Sequence, residues 1–454
     1  HRCTRPSTCE PDMAISSFYG LQTSLRGLLA QQRALDTTGH NIANASTAGY
    51  SRQEAVLAAA PALAIPQGAV QGGAGAHIGA GVDVLSYRRI RDTFLDLQYR
   101  AQATRLGEEA GRAQGLDRAE LALAEPSDNG INKQLSEFWS AWADLANAAD
   151  DPAARTSLLE KADSLADAFG IVDAQLELVG QQAADEYAAL TAAGGEIDQI
   201  GQEIAALNDT IKRFVTAGDA PNDLMDQRDQ LLDKLAAYGT TSIVSNPDGS
   251  VDVTFGGAAA PMIDTAGYHA ETFGASPGGR LGALKDLSTV PGGLIDSYRA
   301  ELGAVAETLA NAVNGLHPGF FGINHAPPGS YGAATIAVLA DDASLLAGTS
   351  SGASANERAL AISELSGKAP DSAYNAFISR IGSEVREATR NEANAQSLTD
   401  AVQDRRESVA GVSLDEEMGN LVRFQRAYQA SSRAMSTMDE MLDVLINRTG
   451  RVGL

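Results

Sequence analysis

Cysteine is nearly absent. The 454-residue chain has two, Cys3 and Cys9, and both precede Met13. A body without cysteine forms neither disulfides nor thiolate metal sites. Residues 1–12 read as an upstream remnant outside the fold, with Met13 as the natural start. The residues after Met13 lack a basic stretch followed by an unbroken apolar run, so no cleavable signal peptide is expected. No apolar run is long enough to span a bilayer, and no membrane partner is expected. Aromatic residues are scarce, at 5%, and cations are outnumbered, with 34 Lys and Arg against 58 Asp and Glu. The formal charge of -24 repels phosphate backbones, which argues against nucleic acid as a partner and favours solubility at high local concentration.

What the chain does have is aliphatic. Hydrophobic residues make up 44% of it, mostly Ala, Leu, Ile and Val, a composition suited to long, closely packed helices. Its length allows about three domains. Near the start, Phe18, Leu21, Leu25, Leu28, Gln32, Leu35, Gly39 and Ile42 recur at alternating steps of three and four. Near the end, Leu414, Glu417, Leu421, Phe424, Tyr428, Ser431, Met435, Met438, Leu442 and Leu445 do the same. Each series is a narrow apolar seam on one side of a helix, with coiled-coil spacing. Such a seam needs a partner to bury it, and these two lie at opposite ends of the chain. That arrangement suits a part built for self-assembly. Cut off from a larger core, two such helices are marginal in water, so the ends are expected to be mobile before assembly.

Between the ends, the cluster 44–50 stops the first helix, and 51–90 reads as extended chain or short strands. Helical patterning runs from Arg91 to Tyr238, with breaks at 126–130, 150–152 and 218–221. Residues 177–214 read as one long helix weakened at Gly194-Gly195. Two β-branched runs, 240–245 and 250–255, flank Asn246-Pro247-Asp248-Gly249 as a hairpin. The stretch 256–293 is rich in glycine and proline and carries no clear pattern. A helix is expected over 294–316, a loop over 318–332, short strands within 331–360 and helices over 374–406. Ser413 opens the last helix, with Glu416 completing a capping box, and Gly450 is the C-cap candidate. The fold class is therefore mainly α with smaller β elements.

Catalytic features are thin. Apart from His1 the histidines are His40, His77, His269, His317 and His325, and none pairs at the four-residue spacing of a helical zinc site. His317 and His325 straddle a Pro-Gly loop and read as solvated. The glycine run 72–79 has the wrong spacing for a phosphate loop and no Lys-Ser or Lys-Thr after it. Most carboxylates sit at helical spacing beside Arg, Lys or Gln, as on a solvated face. No catalytic residue, metal or cofactor is expected, and the chain does not read as an enzyme.

Three stretches are more specific. The first runs from Leu35 through Asn41, Asn44, Gly49, Tyr50, Ser51 and Arg52 to Gln53. The second is Pro221 to Leu232, with Asn222, Asp223, Asp226, Arg228 and Asp229. The third runs from Gly411 through Ser413 and Tyr428 to Gly450. Read singly, each is bland: a helix exit, a capped helix whose Asp and Arg pair along one face, and a decorated coiled-coil helix. Together and in this order they resemble the bacterial flagellar hook-associated protein 1 family, whose members join hook to filament. Ile78 to Val84, followed by Arg89 and Arg91, resembles the segment that comes next in that family. The resemblance runs from Met13 to Leu454 and is least marked over 256–345.

The resemblance implies an inner helical domain from both ends, here 13–50 and 408–454. It implies a mainly helical middle domain, here 51–255 and 281–407, with a β-hairpin at 240–255. The variable region 256–345 would hold a small or missing outer domain. It further implies export through the flagellar machinery to an extracellular place at the hook–filament junction. The partners it implies are hook protein, the third hook-associated protein, further copies of the chain, and an export chaperone on the carboxy-terminal helix. Rival readings are another axial protein, such as a distal rod or hook subunit or the third hook-associated protein, or a secreted hydrolase with axial-type ends. The 222–229 helix and the carboxy-terminal pattern argue against the first, and the want of clustered catalytic residues argues against the second.

Overall fold

A computed structural model describes residues 18–65, 76–125, 127, 130–270, 273–324, 331–346 and 354–448. Among them α1 is Tyr19–Ala43, followed by β1 (Gln53–Ala59), β2 (Leu63–Ile65), β3 (Ala76–Ile78) and β4 (Val82–Arg89). Five helices follow: α2 (Thr93–Leu123), α3 (Ile131–Asn147), α4 (Pro152–Thr191), α5 (Glu196–Thr216) and α6 (Asn222–Tyr238). Next come β5 (Thr241–Ser245), β6 (Val251–Phe255), β7 (Ile263–Asp264), β8 (Gly267–Tyr268), α7 (Gly279–Ser288) and α8 (Leu294–Asn314). Short pieces lead to the end: β9 (Phe321–Gly322), α9 (Gly332–Thr335), β10 (Ala337–Val338), α10 (Asp342–Leu346) and α11 (Ala355–Ser363). Two long helices close the chain, α12 (Ala369–Ala410) and α13 (Leu414–Asp443), with a π-turn at Val444–Arg448.

Local chemistry sets several boundaries. Pro152 supplies the preset φ of a first helical residue, and Asp151 accepts a hydrogen bond from the Ala153 amide at 2.9 Å. Ser354 and Glu357 form a complete capping box at α11. Ser413 caps α13 alone: it accepts from the Glu416 amide, but the Glu416 carboxylate turns to Arg52 instead of closing a box. The long helix expected over 177–214 is two, because Gly194 takes φ +78° between α4 and α5. The hairpin expected over 240–255 is present, and β7 and β8 extend it into a four-stranded antiparallel sheet. The unpatterned stretch 256–293 contains α7. Gly450 lies outside the described residues.

By contacts the described chain forms two units. The first comprises residues 18–65, 76–95, 210–230 and 404–448, a wider grouping than the two ends alone. Here β1 and β4 pair antiparallel, with Gln53 opposite Arg89 and a bulge between Val56 and Leu57. Here too α1 lies antiparallel along α13.

The second unit comprises 96–209 and 231–403. Its larger core gathers apolar faces of α2, α3, α4, α7, α8, α11 and α12. The scarce aromatics concentrate there: both tryptophans, Trp139 and Trp142, are buried with Phe138, Phe320 and Phe321. A smaller core joins α5 and α6 to β6 and β7 through Ile200, Ile204, Leu235, Val253 and Ile263. Residues within 256–345 contribute to both cores: Met262, Ile263 and Leu281 to the smaller, Leu302, Leu309 and Phe320 to the larger. They form no unit of their own among the described residues.

His317 is not solvated. It is 4% exposed and meets Trp142 and Phe320 edge-on or tilted, because the loop after α8 folds back under α3. His325 lies outside the described residues.

Candidate assembly site

The three stretches singled out in the sequence converge in the first unit. Asn41, in the last turn of α1, is 1% exposed and behaves as a strand neighbour of Gln53. Its Oδ1 accepts from the Gln53 amide at 3.0 Å, and its Nδ2 donates to the Gln53 carbonyl at 2.9 Å. The same Oδ1 accepts from the Tyr50 hydroxyl at 2.8 Å. Burial, then the nearby Asp223, Asp226 and Glu417, push the Tyr50 hydroxyl pKa well up, so it stays a donor. Gly49, at φ +71°, lets the chain turn under Gln230, whose Nε2 donates to the Ala48 carbonyl at 2.8 Å. Asn44 bonds back to its own helix at the His40 carbonyl.

From the second stretch, Asp226 accepts from the Ser51 amide at 2.9 Å and from the Ser51 hydroxyl at 2.8 Å. Arg89 donates to both Asp226 and Asp229 at 2.8 Å, and Arg91 reaches Asp229 at 2.6 Å. The side chains of all four are at most 17% exposed. Two cations thus face two anions in near-dry surroundings, which is how buried charge is tolerated. Asn222 and Asp223 do not serve as caps for their own helix. Asn222 donates to the Gln53 side chain and the Tyr87 carbonyl, and Asp223 accepts from Gln53 Nε2 at 2.7 Å. Arg228 is buried, at 5% exposure.

The third stretch enters through the start of α13. Glu417 is the one residue of α13 that is buried, and it accepts from Asn41 Nδ2 at 3.3 Å. Arg52 lies 2.8 Å from its other oxygen, off the line of a hydrogen bond, and donates to Glu416 at 2.7 Å. The Arg52 amide donates to the Ala410 carbonyl at the end of α12. One polar joint therefore ties the end of α1, the start of β1, the end of β4, the start of α6 and the start of α13. Its carboxylates are held by cations and amides, which suits them to fastening.

The joint sets the register of the helix pair. From Asn41 against Glu417, fourteen residues back along α1 bring Gly27 to Ser431, and seven more bring Gly20 to Met438. A Cβ on Gly27 would come within 3.3 Å of Ser431 Oγ, and one on Gly20 within 2.8 Å of Met438 Sδ. Small residues here let the helices approach closely. The face of α1 that is fully buried is Ala30, Ala34, Thr38 and Asn41, beside the seam read from the sequence. The seam itself is half-buried at Leu21, Leu28, Leu35, Ile42, Leu421, Phe424, Tyr428, Met435, Met438 and Leu442. Phe18, Leu25 and Leu414 are exposed, and the Leu445 side chain lies outside the described set.

Of the joint's residues the sequence singles out Asn41, Ser51, Arg52, Gln53, Asp226 and Asp229, reads Glu416 as half of a capping box, Glu417 as a seam position and Arg89 and Arg91 as part of a family-like segment, and gives no role to Gln230. Glu417 carried a usable signal, since an acid on an apolar seam needs a buried partner.

Residues 116–272 match the flagellar hook-associated protein FlgK helical domain, 406–448 the flagellar basal body rod FlgEFG protein C-terminal family, and 21–50 the flagella basal body rod protein family. The chain is 30% identical to flagellar hook-associated protein 1 of Bacillus subtilis, over 96% of this chain and 99% of that one. It is 24% identical to the Escherichia coli protein of the same name, over 94% and 99%. A solved structure, the flagellar hook junction protein FlgK from Burkholderia pseudomallei, is similar over 50% of this chain and 47% of that one, with a TM-score of 0.43 and 20% identity. The chain belongs to the flagellar hook-associated protein 1 family.

Proposed function

We propose that this chain is a structural adaptor joining hook to filament in the bacterial flagellum, and that it assembles through α1 and α13. The observation that carries this reading is the half-buried seam. The joint at Asn41, Asp226 and Glu417 fixes two long helices in register, yet α13 buries only Glu417 of its thirty residues. Leu25, Leu414, Met418 and Val422 remain exposed. Neighbouring copies that covered this surface would gain about 25 cal/mol per Å² of apolar area, offsetting the entropy of ordering the helices.

On this reading the terminal helices belong to an inner domain, and hook protein and the third hook-associated protein bind on opposite sides. An export chaperone holds α13 beforehand, the chain leaves the cell without a cleaved signal, and it performs no catalysis. The test uses hooks purified from cells that lack the chain. Gold-labelled chain should decorate one end of each hook and then permit the third hook-associated protein to bind. Binding along hook sides, or none, would overturn the proposal.

A further inference from the structure

Four of the seven methionines, Met418, Met435, Met438 and Met441, lie on α13. Met438 is set apart by what it touches. A Cβ on Gly20 would fall 2.8 Å from its Sδ and 2.9 Å from its Cε, so the thioether fills the notch that the glycine leaves in α1. Ser24, one turn further along α1, donates its hydroxyl to the same sulfur at 3.7 Å. The side chain is half-buried, so a small oxidant in solution reaches it.

We propose that Met438 is an oxidation site at which hydrogen peroxide loosens the α1–α13 pair. A sulfur lone pair attacks one peroxide oxygen and the O–O bond breaks. An S–O bond forms and, after proton transfer, water leaves. The sulfur loses two electrons and the peroxide gains them. The product is a polar sulfoxide, which reductases reverse. Its oxygen has no room in a notch shaped for a bare thioether. On the Ser24 side it would come nearer the hydroxyl than an ordinary hydrogen bond allows. An oxygen on either of these sides pushes α13 away from α1 at the end of the pair remote from the Asn41–Glu417 contact, and one facing solvent still makes a seam side chain polar. Met418 and Met441, 53% and 55% exposed, report how much oxidant was delivered. The inference does not depend on the proposed function.

The test treats the full chain with graded hydrogen peroxide. Peptide mass spectrometry reads oxygen gain at each methionine, and hydrogen exchange reads Tyr19–Ala43. Once Met438 is converted, exchange in α1 should quicken on the order of tenfold, the size of an ordinary packing defect. Methionine sulfoxide reductase should restore it, and Met438→Leu should stay slow under peroxide. Should that variant lose α1 protection untreated, the double variant Met418→Leu/Met441→Leu must keep the peroxide effect. The proposal fails if Met438 stays unmodified at a dose that converts Met418 and Met441, or if its conversion leaves exchange unchanged. It also fails if peroxide-treated Met438→Leu quickens as much as the native chain.

Discussion

Asp226 does more at the joint than its neighbours, because it takes the Ser51 amide, the Ser51 hydroxyl and Arg89 at once. Asp226→Asn keeps the shape, removes one charge and leaves Arg89 and Arg91 under-compensated. Breaking a buried pair this way costs about 3–5 kcal/mol. Amide exchange at Ser51 to Gln53 should therefore quicken strongly, and unchanged exchange would show the joint to be ornamental. His317 predicts a pH effect. Burial, then the neighbouring Arg358, hold its pKa below the ordinary value, so the folded chain binds fewer protons than the unfolded one just below that value. The stability it contributes is complete above about pH 6.5 and falls as pH drops from there toward its folded pKa. His317→Phe should flatten that slope in melting curves. The separate loss from Glu137 and Glu196, whose pKa values lysine contacts depress, begins only in the carboxylate range and should remain. His317 misled the sequence reading because a Pro-Gly loop predicts solvent, and nothing local shows that Trp142 and Phe320 will cover it.

Elements with strong period were legible. The seams predicted α1 and α13, Asp151-Pro152 predicted the start of α4, and the β-branched runs around Asp248-Gly249 predicted β5 and β6. What failed depended on distant contacts. α7 hides in glycine-rich sequence because its helicity comes from Leu281, Leu284 and Leu287 packing into the cores. The two-residue strands β7 and β8 exist only through pairing, β7 with β6 and β8 with β7. On α1 the seam was legible, but the fully buried face was not, since Ala30, Ala34 and Thr38 carry too little hydrophobicity to mark themselves. A prediction follows from that geometry. Leu28 and Leu442 are half-buried in the chain alone. Leu28→Asp or Leu442→Asp should cost on the order of 1 kcal/mol in the free chain. Either should nevertheless block filament attachment in cells. A collapse of the second unit's melting transition in either variant would show that these seams serve its stability rather than assembly.

For the whole molecule, the sequence ordered the pieces correctly but could not show how they group. Residues 51–65, 76–95 and 210–230 group with the terminal helices because Gln53 binds Asn41 on α1 and pairs with Arg89 of β4, while Ser51 and Gln53 find further partners on α6, more than a hundred residues away. Only a folded chain displays such pairs. The second unit buries a tryptophan-centred core of its own, whereas the helix pair of the first unit is left half-covered. An adaptor made this way should fold without its neighbours and finish burying its seam among them. The most direct measurement is electron microscopy of the parent bacterium with the gene for this chain deleted. The account predicts complete hooks without filaments, filament growth restored by the native chain, and no restoration by Leu442→Asp. Normal filaments on the deletion strain would contradict it.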